Sequence, residues 1–335
     1  MQVDVVGAGL AGLLAARALS VQGHSVRLWG SAEPAPARAV ALSGPSVDYL
    51  TGLCLEVGQL GAPIETIHVS RQHRFGHVQL HAQAMDQPNF GRVIPNDDLC
   101  LALDDALSGV ERIDEQVEHL QPGWQLNDRS SEFVVLASGA PNLLRQAGIH
   151  WQSPTMSGEL WVAIAKGAPV GTAYERFTDS GPLAILPMGQ GRVSLVWQVE
   201  GPVTLDRVNR AIGHRVKLTD LQAEQRFPIR LHRADYLARP GLAVIGNASQ
   251  FLHPVAGQGF NLIIRQLRCL LDQGLDDLSA FNRQALADQA TWFQTTRTLA
   301  QIFQPALPGQ GLALSALAVA GPAQRLFVKR FMEGE

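Results

Sequence analysis

The stretch VDVVGAGLAG at residues 3–12 decides the fold expected of this chain. A valine-rich run leads into a glycine-rich turn, and a run of leucine and alanine follows it. Gly7 permits a tight turn between strand and helix, Gly9 lets the backbone approach a pyrophosphate, and Gly12 lets helix and strand pack closely. Free N–H groups at the start of the helix then face the phosphate charge. The stretch therefore predicts a dinucleotide-binding turn.

The segments around this turn have the lengths that a strand–helix–strand unit requires. Residues 2–6 are predicted to form a buried parallel strand, residues 10–21 a helix, and residues 25–29 the second strand. An acidic residue usually ends the second strand and holds the ribose hydroxyls, but Gly30 occupies that position here. The nearest carboxylate, Glu33, comes three residues later. Recognition of the ribose is therefore left open by the sequence.

A second glycine-rich stretch, VIGNASQFLHPVAGQGFN, occupies residues 244–261. Residues 241–245 predict a buried strand, and residues 259–273 predict the helix that follows the loop. Glycines at 257–259 would let main-chain N–H groups reach a flavin ring, and the helix N-terminus would stabilise the negative charge of the reduced ring. Two distant segments that hold the two ends of one cofactor indicate FAD rather than NAD alone.

Composition limits the classes of function that remain. The chain has 335 residues, of which 46% are hydrophobic and 17% charged, so a large buried core is expected. A net charge of −3 gives no electrostatic reason to expect nucleic-acid binding. Cys54, Cys100 and Cys269 are far apart and odd in number, which is typical of reduced thiols in a cytosolic protein. The longest apolar run, 312–320, is about half the ~20 residues of a membrane span. We therefore expect a cytoplasmic protein, with peripheral contact at the inner membrane left open.

Several blocks resemble a known family. The segment 246–261 resembles the second FAD motif of the group A flavoprotein aromatic hydroxylases, and RAVAL at 38–42 resembles their arginine segment after the second strand. In the middle region, residues 67–70, 174–188 and 194–197 are similar to the ubiquinone-biosynthesis branch of that family, nearest to its 2-polyprenyl-6-methoxyphenol hydroxylases. The resemblance runs from residue 1 to about residue 295.

The resemblance and the hydrophobic patterns together predict an α/β architecture. A doubly wound FAD-binding domain, Rossmann-like and of the glutathione-reductase type, would be interleaved with a mostly antiparallel β-sheet substrate domain and followed by C-terminal helices. The predicted divisions are 1–63, 90–150 and 240–280 for the FAD-binding domain, 64–89 and 151–239 for the substrate domain, and 281–335 for the C-terminal helical region.

The resemblance implies an FAD-dependent monooxygenase that hydroxylates the ring of a prenylated phenol intermediate in ubiquinone biosynthesis. NAD(P)H would bind transiently and reduce a non-covalent FAD, O2 would form a flavin hydroperoxide, and the phenol would attack its distal oxygen. No catalytic acid or base is identified by the sequence. The residues expected to bind the cofactor are Gly7, Gly9, Gly12, Arg38, Gly246, Asn247, His253, Pro254, Gly257, Gln258, Gly259 and Asn261.

Two positions depart from the pattern of the family. Ser138-Gly139 stands where an Asp-Gly pair is usual, and Asn247 stands where an Asp often follows the glycine. Ser138 and Gly30 keep open the alternative of a catalytically weak flavoprotein subunit of a quinone-synthesis assembly. A flavin-dependent reductase of prenyl chains, with the same fold and different chemistry, is a further alternative. The basic, amphipathic segment 325–331 predicts either a docked terminal helix or a contact with such an assembly or with a membrane surface.

Other constellations have simpler interpretations. Four histidines, at positions 68, 73, 77 and 81, lie on a predicted hairpin that turns near residues 72–75, and no cysteine or carboxylate pair completes a metal-ligand set. We interpret them as histidines of a sheet and predict no metal site. The sequence also contains no G-x-S-x-G nucleophile elbow, which argues against a hydrolase.

Overall fold

A computed structural model describes residues 1–31, 38–152, 158–167, 170–229, 231–252 and 257–302. Among the residues singled out from the sequence, Glu33, His253, Pro254 and the segments 312–320 and 325–331 lie outside the described residues.

The described chain alternates between helices and short strands. The helices are α1 (Leu10–Val21), α2 (Gly44–Gly52), α3 (Asn96–Asp105), α4 (Pro141–Gln146), α5 (Leu205–Ile212), α6 (Gly259–Gln273) and α7 (Leu278–Ile302). The strands are β1 (Gln2–Val6), β2 (Ser25–Trp29), β3 (Ala39–Ser43), β4 (Ala62–Pro63), β5 (Thr66–Arg71), β6 (His77–His81), β7 (Gly91–Pro95), β8 (Glu111–Ile113), β9 (Leu120–Gln121), β10 (Gln125–Leu126), β11 (Arg129–Ser130), β12 (Phe133–Leu136), β13 (Trp151–Gln152), β14 (Glu159–Lys166), β15 (Thr172–Phe177), β16 (Pro182–Gly189), β17 (Arg192–Gln198), β18 (Thr219–Pro228), β19 (His232–Ala234), β20 (Ala238–Arg239), β21 (Leu242–Val244) and β22 (Gln250–Phe251).

A mainly parallel sheet forms the nucleotide-binding half. Its strand order is β20-β21-β12-β1-β2-β8, and only β20 runs antiparallel to its neighbour. The strands at its centre are continuous hydrophobic runs because helices cover both faces; all four residues of β12 are buried. The predicted strands at 2–6 and 25–29 and the predicted helices at 10–21 and 259–273 are confirmed with those bounds.

A seven-stranded sheet forms the other half, in the order β18-β14-β17-β16-β15-β5-β6. All of its pairs are antiparallel except β15 with β5, which run parallel. The strands of the two large sheets alternate along the chain, so neither half is continuous in sequence. The predicted fold class, a doubly wound domain interleaved with a mostly antiparallel sheet, is confirmed.

The two faces of this antiparallel sheet differ, because successive side chains of a strand point to opposite sides. One face packs against α5, and its side chains are almost fully buried: Trp161, Leu183, Ile185, Leu195 and Trp197. The other face, which we call the inner face, is turned towards the nucleotide-binding half. It packs at one end against β3 and β7 and at the other against α6 and α7.

Candidate active site

Two glycines of the first turn are required by the protein's own packing. Gly7 has φ +110°, and a Cβ there would lie 2.9 Å from the backbone nitrogen of Ser138. A Cβ on Gly12 would lie 1.7 Å from the carbonyl oxygen of Gly7, so any side chain at that position would force α1 away from β1. These two positions therefore fix the strand–turn–helix geometry that the sequence predicts.

Gly9 differs from both. It is the residue that precedes α1, its backbone is extended, and a Cβ built on it meets nothing within 4 Å. The fold itself does not need a glycine here. No side chain caps the N–H groups of the first turn of α1, so these donors face open space beside Gly9. An uncapped helix start next to such an opening suits a bound phosphate group.

The position where an acidic residue is usual cannot easily hold one. Gly30 has φ +114°, a conformation that side chains rarely adopt, and a Cβ there would lie 3.4 Å from the backbone nitrogen of Ala8. The strand before it ends at Trp29, whose indole nitrogen donates a 2.6 Å hydrogen bond to the buried carboxylate of Asp4. Arg27 pairs with the same carboxylate at 2.6 Å. The carboxylate of Asp4 is therefore engaged in contacts that join β1 to β2.

The second motif packs directly onto the first. Gly246 has φ +69°, and a Cβ on it would lie 2.9 Å from the Cβ of Ala11 in the first turn of α1. The residue after it, Asn247, is exposed, and its carbonyl accepts a 2.8 Å hydrogen bond from His232 Nε2. Its Cβ would lie 3.9 Å from a Cβ on Gly139. The two positions at which the sequence departs from the family pattern, Ser138-Gly139 and Asn247, are therefore neighbours in space.

The loop before α6 is held to β3. Asn261 is buried, and its Oδ1 accepts a 2.9 Å hydrogen bond from the backbone nitrogen of Ser43, while its Nδ2 donates to the carbonyl of Ala41 at 3.0 Å. Gly257 has φ +61°, and a Cβ there would lie 3.4 Å from the Cβ of Ala41. Gln258 is buried, and its carbonyl accepts a 3.0 Å hydrogen bond from Leu262 in α6.

Gly259, at the start of α6, resembles Gly9 in its surroundings. A Cβ on it meets nothing within 4 Å, and no side chain caps the first turn of the helix. Uncapped N–H groups therefore face open space at the start of α6 as they do at the start of α1. We expect a ligand with a negatively charged or electron-accepting group to be favoured in front of both helices.

Arg38 lies where the two halves of the protein meet. It immediately precedes β3, and its guanidinium carbon lies 5.8 Å from the ring centre of Phe227 on β18. Burial lowers the pKa of this guanidinium, and no carboxylate among the described residues forms an ion pair with it. A partly desolvated cation without an acidic partner is suited to a ligand phosphate or to an electron-rich ring.

The inner face of the antiparallel sheet lies across from these segments. Its apolar side chains Ala184, Leu186 and Val196 keep part of their surface accessible, although they lie in the middle of the sheet. Their outward-facing neighbours along the same strands, by contrast, are buried against α5. Leu186 and Val196 pack in part against the clusters at the two ends of the face, and the surface that they and Ala184 keep accessible is available to line a ligand site. A buried carboxylate that the sequence patterns did not single out, Glu175, lies on the same face.

Comparisons with known proteins agree with this arrangement. No protein-family model matches the chain. The 3-demethoxyubiquinol 3-hydroxylase of Escherichia coli is 27% identical over 322 residues, which cover 81% of this chain and 78% of that protein. The ubiquinone hydroxylase UbiL of Rhodospirillum rubrum is 29% identical over 190 residues, which cover 48% of this chain and 44% of that protein. The chain is thus similar to proteins named as demethoxyubiquinol and ubiquinone hydroxylases.

Two solved structures share the fold over nearly the full length of the chain. Among solved structures, p-nitrophenol 4-monooxygenase PnpA of Pseudomonas putida superimposes with a TM-score of 0.80 at 15% identity and covers 98% of this chain and 96% of its own. HpxO of Klebsiella pneumoniae, complexed with FAD and uric acid, gives a TM-score of 0.79 at 15% identity, with 99% and 96% covered. Structural likeness at this identity shows the fold, and it confirms the architecture that the family resemblance predicts.

Histidines of the β5–β6 hairpin pack against neighbouring rings of the sheet. His68 stacks on His77 with ring centres 5.4 Å apart and leans on Tyr174 at 5.3 Å. Burial, followed by the charge of Arg215, lowers the pKa of His68 to about 4, so the ring is neutral near pH 7. In the described part of the chain, no group of three or more His, Cys, Asp or Glu side chains is arranged to hold a metal ion.

No helix within the described residues combines the length and the apolar character needed to cross a bilayer.

Proposed function

We propose that this protein is an FAD-dependent monooxygenase that hydroxylates the aromatic ring of a prenylated phenol in ubiquinone biosynthesis, with NAD(P)H and O2 as co-substrates. One observation carries the proposal: two uncapped helix starts, at Gly9 and at Gly259, border open space next to a partly open apolar sheet face. The names of the relatives, a demethoxyubiquinol hydroxylase and a ubiquinone hydroxylase, support the choice of pathway.

The residues present fit a bound FAD. The opening beside Gly9 would take the pyrophosphate, and the start of α6 would contact the isoalloxazine. Asn261 would position this loop through its hydrogen bond with Ser43 of β3. When bound, FAD supplies the redox and oxygen-activating chemistry. The proposed set of cofactor-binding residues is the one expected from the sequence: Gly7, Gly9, Gly12, Arg38, Gly246, Asn247, His253, Pro254, Gly257, Gln258, Gly259 and Asn261.

The inner face of the sheet would receive the phenol. Ala184, Leu186 and Val196 supply apolar surface that keeps water from the reacting ring. The prenyl tail requires an apolar exit or contact with lipid, and we propose that the C-terminal region provides it or docks on a quinone-synthesis complex. The division of the chain into an FAD-binding domain, a substrate domain and a C-terminal helical region belongs to the same proposal.

A second candidate function is that of a flavoprotein subunit with little activity of its own. It is favoured by Gly30, whose φ of +114° is a backbone conformation that the usual ribose-binding carboxylate residue would rarely adopt, and by Ser138, which packs on the first turn. In that case FAD would bind, but reduction by NAD(P)H would be slow and no phenol would be hydroxylated.

A purified-protein assay separates the two. The absorbance spectrum of the protein reports bound flavin, and NAD(P)H oxidation is then followed with a 2-methoxy-6-prenylphenol that carries one isoprene unit. Hydroxylation predicts phenol-dependent O2 uptake and a product that gains one atom from isotopically labelled O2. Flavin-loaded protein that gives neither, and that fails to restore ubiquinone in a bacterium lacking the corresponding hydroxylase, would favour the accessory subunit.

A further inference from the structure

On the inner face, residues paired across neighbouring strands form rows, and Glu175 is the acidic residue of its row. Strand β15 pairs Glu175 with Val69 of β5 on one side and with Ala184 of β16 on the other, and Ala184 is paired in turn with Val196. Paired residues of neighbouring strands point to the same side of a sheet. Glu175 therefore shares its face with Ala184 and Val196, and its neighbours along the strand, Tyr174 and Arg176, point to the opposite face.

The row that contains Glu175 lies between two packed regions. On the row before it, Ala173 and Leu186 pack against the segment of β3 that contains Ala41. Within the Glu175 row, Val196 packs against side chains of α6 and α7. The loop at Gly257, whose Cβ position is 3.4 Å from Ala41, is joined to the same β3 segment. The Glu175 row therefore faces the region between the α6 loop and the sheet.

The surroundings of Glu175 show that it faces an internal space. Its side chain is only partly accessible, and it lies between the clusters that pack on the two ends of the inner face. A side chain that is deep in the protein and still accessible borders a cavity rather than the outer surface. No described residue donates a hydrogen bond to its carboxylate or forms an ion pair with it. A buried polar group of this kind requires either a partner from outside the chain or a function that depends on its having none.

Charged groups around Glu175 do not neutralise it. Burial alone raises its pKa to about 7. On the inner face the charged side chains are Arg71 on β5, Lys166 on β14, which pairs with Asp220, and Arg192 on β17. The elements packed against it carry Arg38 before β3, Arg92 on β7, Arg265, Arg268 and Asp272 on α6, and Arg283, Asp288 and Arg297 on α7, with Arg265 and Asp288 forming an ion pair. None of them contributes to the shift of the Glu175 pKa. An unpaired carboxyl that exchanges its proton near neutral pH is matched to general acid–base work.

The geometry points to Glu175 as the catalytic base that accepts the phenolic proton of the substrate in the space between the inner face and the α6 loop. This inference rests on the proposed function, because it assigns a residue to the same reaction. The Glu175 carboxylate would receive the phenol O–H as a hydrogen bond and so orient the ring over the start of α6.

The step is a proton transfer that needs no further reactant. The O–H bond of the phenol breaks, a bond forms between that proton and a carboxylate oxygen of Glu175, and the electron pair stays on the phenolate oxygen. The ring thereby becomes a better nucleophile towards an electrophilic oxygen. The proton is released to solvent or returned to the product oxygen, which restores the carboxylate for the next turnover.

The test compares Glu175→Gln with the wild-type holoenzyme, using the one-isoprene methoxyphenol as substrate. Gln keeps the size and can still contact the phenol, but it cannot take up the proton. We expect kcat to fall about 100-fold or more with little change in KM, and the limb of the pH profile near pH 7 to disappear. Glu175→Asp should recover part of the rate. The matched control is Glu200→Gln, an exposed carboxylate in the loop after β17, which should behave as wild type.

A second readout does not depend on turnover. A nitrophenol absorbs differently as phenol and as phenolate, so its difference spectrum on binding reports where the proton resides. Binding to wild type should enrich the phenolate near pH 7, and binding to Glu175→Gln should not. A variant with an unchanged rate, pH profile and nitrophenol spectrum, beside a wild type that hydroxylates, overturns the assignment of Glu175 alone. A wild type that binds flavin and hydroxylates no phenol overturns the proposed function and the catalytic role together.

Discussion

The carboxamide of Asn261 joins two segments that are 218 residues apart in the chain, through a 2.9 Å hydrogen bond from the backbone nitrogen of Ser43. The same side chain donates to the carbonyl of Ala41, so it continues the hydrogen bonding of β3 in place of a neighbouring strand. Because Asn261 lies in the first turn of α6, the position of the loop at 257–259 depends on this contact. A polar residue expected to touch the flavin is thus engaged in holding the loop at 257–259 to β3.

Asn261→Ala is therefore expected to reduce flavin affinity through the position of the loop. The substitution leaves the buried N–H of Ser43 without its partner, at a cost of about 1–3 kcal/mol, and it also removes the hydrogen bond to the partly buried carbonyl of Ala41. We predict a lower melting temperature, measured by thermal denaturation, and a higher Kd for FAD, measured by flavin fluorescence titration.

The matched control is Asn282→Ala. Asn282 makes the same kind of bond, its Oδ1 accepting from the backbone nitrogen of Leu237 at 2.8 Å, but it lies on α7 and belongs to neither glycine motif. We expect this variant to lose stability and to keep its affinity for FAD. An equal loss of FAD affinity in both variants would show that the effect is one of general stability.

Gly9 and Gly12 are predicted to fail in different ways when each is replaced. Gly9→Val should fold normally, because a Cβ there meets nothing within 4 Å, and yet it should abolish FAD binding by filling the opening in front of α1. Gly12→Ala should reduce the amount of folded protein, because its Cβ would lie 1.7 Å from the Gly7 carbonyl. Circular dichroism and flavin content measured on the same preparations separate the two outcomes.

Gly52→Val provides the reference for the glycine substitutions. Gly52 ends α2, and a Cβ on it also meets nothing within 4 Å, so this variant should both fold and bind FAD. If Gly9→Val retained full flavin content as well, the pyrophosphate would have to lie elsewhere.

Gly259→Val is predicted to slow flavin reduction more than it harms folding. Gly257 is less suited to this experiment, because it has φ +61°, where a valine would strain the backbone. Gly259 has no such restriction, and a side chain on it would project into open space at the start of α6. Stopped-flow reduction by NAD(P)H in flavin-loaded protein is the measurement. A normal rate would place the loop away from the reacting part of the ring.

The elements that the sequence predicted well are those with strong local signals. Helices α1 and α6 follow glycine-rich turns, and β1 and β2 are short apolar runs, so local pattern and tertiary position agree at both motifs. The spacing also predicts the packing roles of Gly7 and Gly12, which the turn requires, whereas the contact of Gly9 with a cofactor stays a prediction.

What the sequence could not reveal depends on register. In β15 the side chains alternate between the two faces, so Ala173, Glu175 and Phe177 share one face, and Tyr174 and Arg176 share the other. The alternation therefore predicts that either Glu175 or Arg176 points inward. Which side of the sheet faces the nucleotide-binding half is decided by contacts with β3 and α6, more than 80 residues away in both directions along the chain. The role of Asn261 was hidden for the same reason.

Glu175→Gln is finally expected to stabilise the protein at neutral and alkaline pH. The folded protein holds the Glu175 proton up to about pH 7, whereas the unfolded chain releases it near 4.5. The folded state therefore binds more protons between these values, so the free energy of unfolding falls as pH rises from 4.5 through 7 and then levels off. The loss reaches at most about 3 kcal/mol, and glutamine removes it.

Urea unfolding of both holoproteins at about pH 5 and about pH 8 measures this difference, since the contributions of all other titrating groups cancel between them. A carboxylate kept for structure would have partners, and its removal would destabilise the protein at pH 8. A carboxylate kept for proton transfer has none, and its removal should stabilise the fold while it slows the reaction. Equal pH dependence of the two proteins would contradict the burial of an ionisable Glu175.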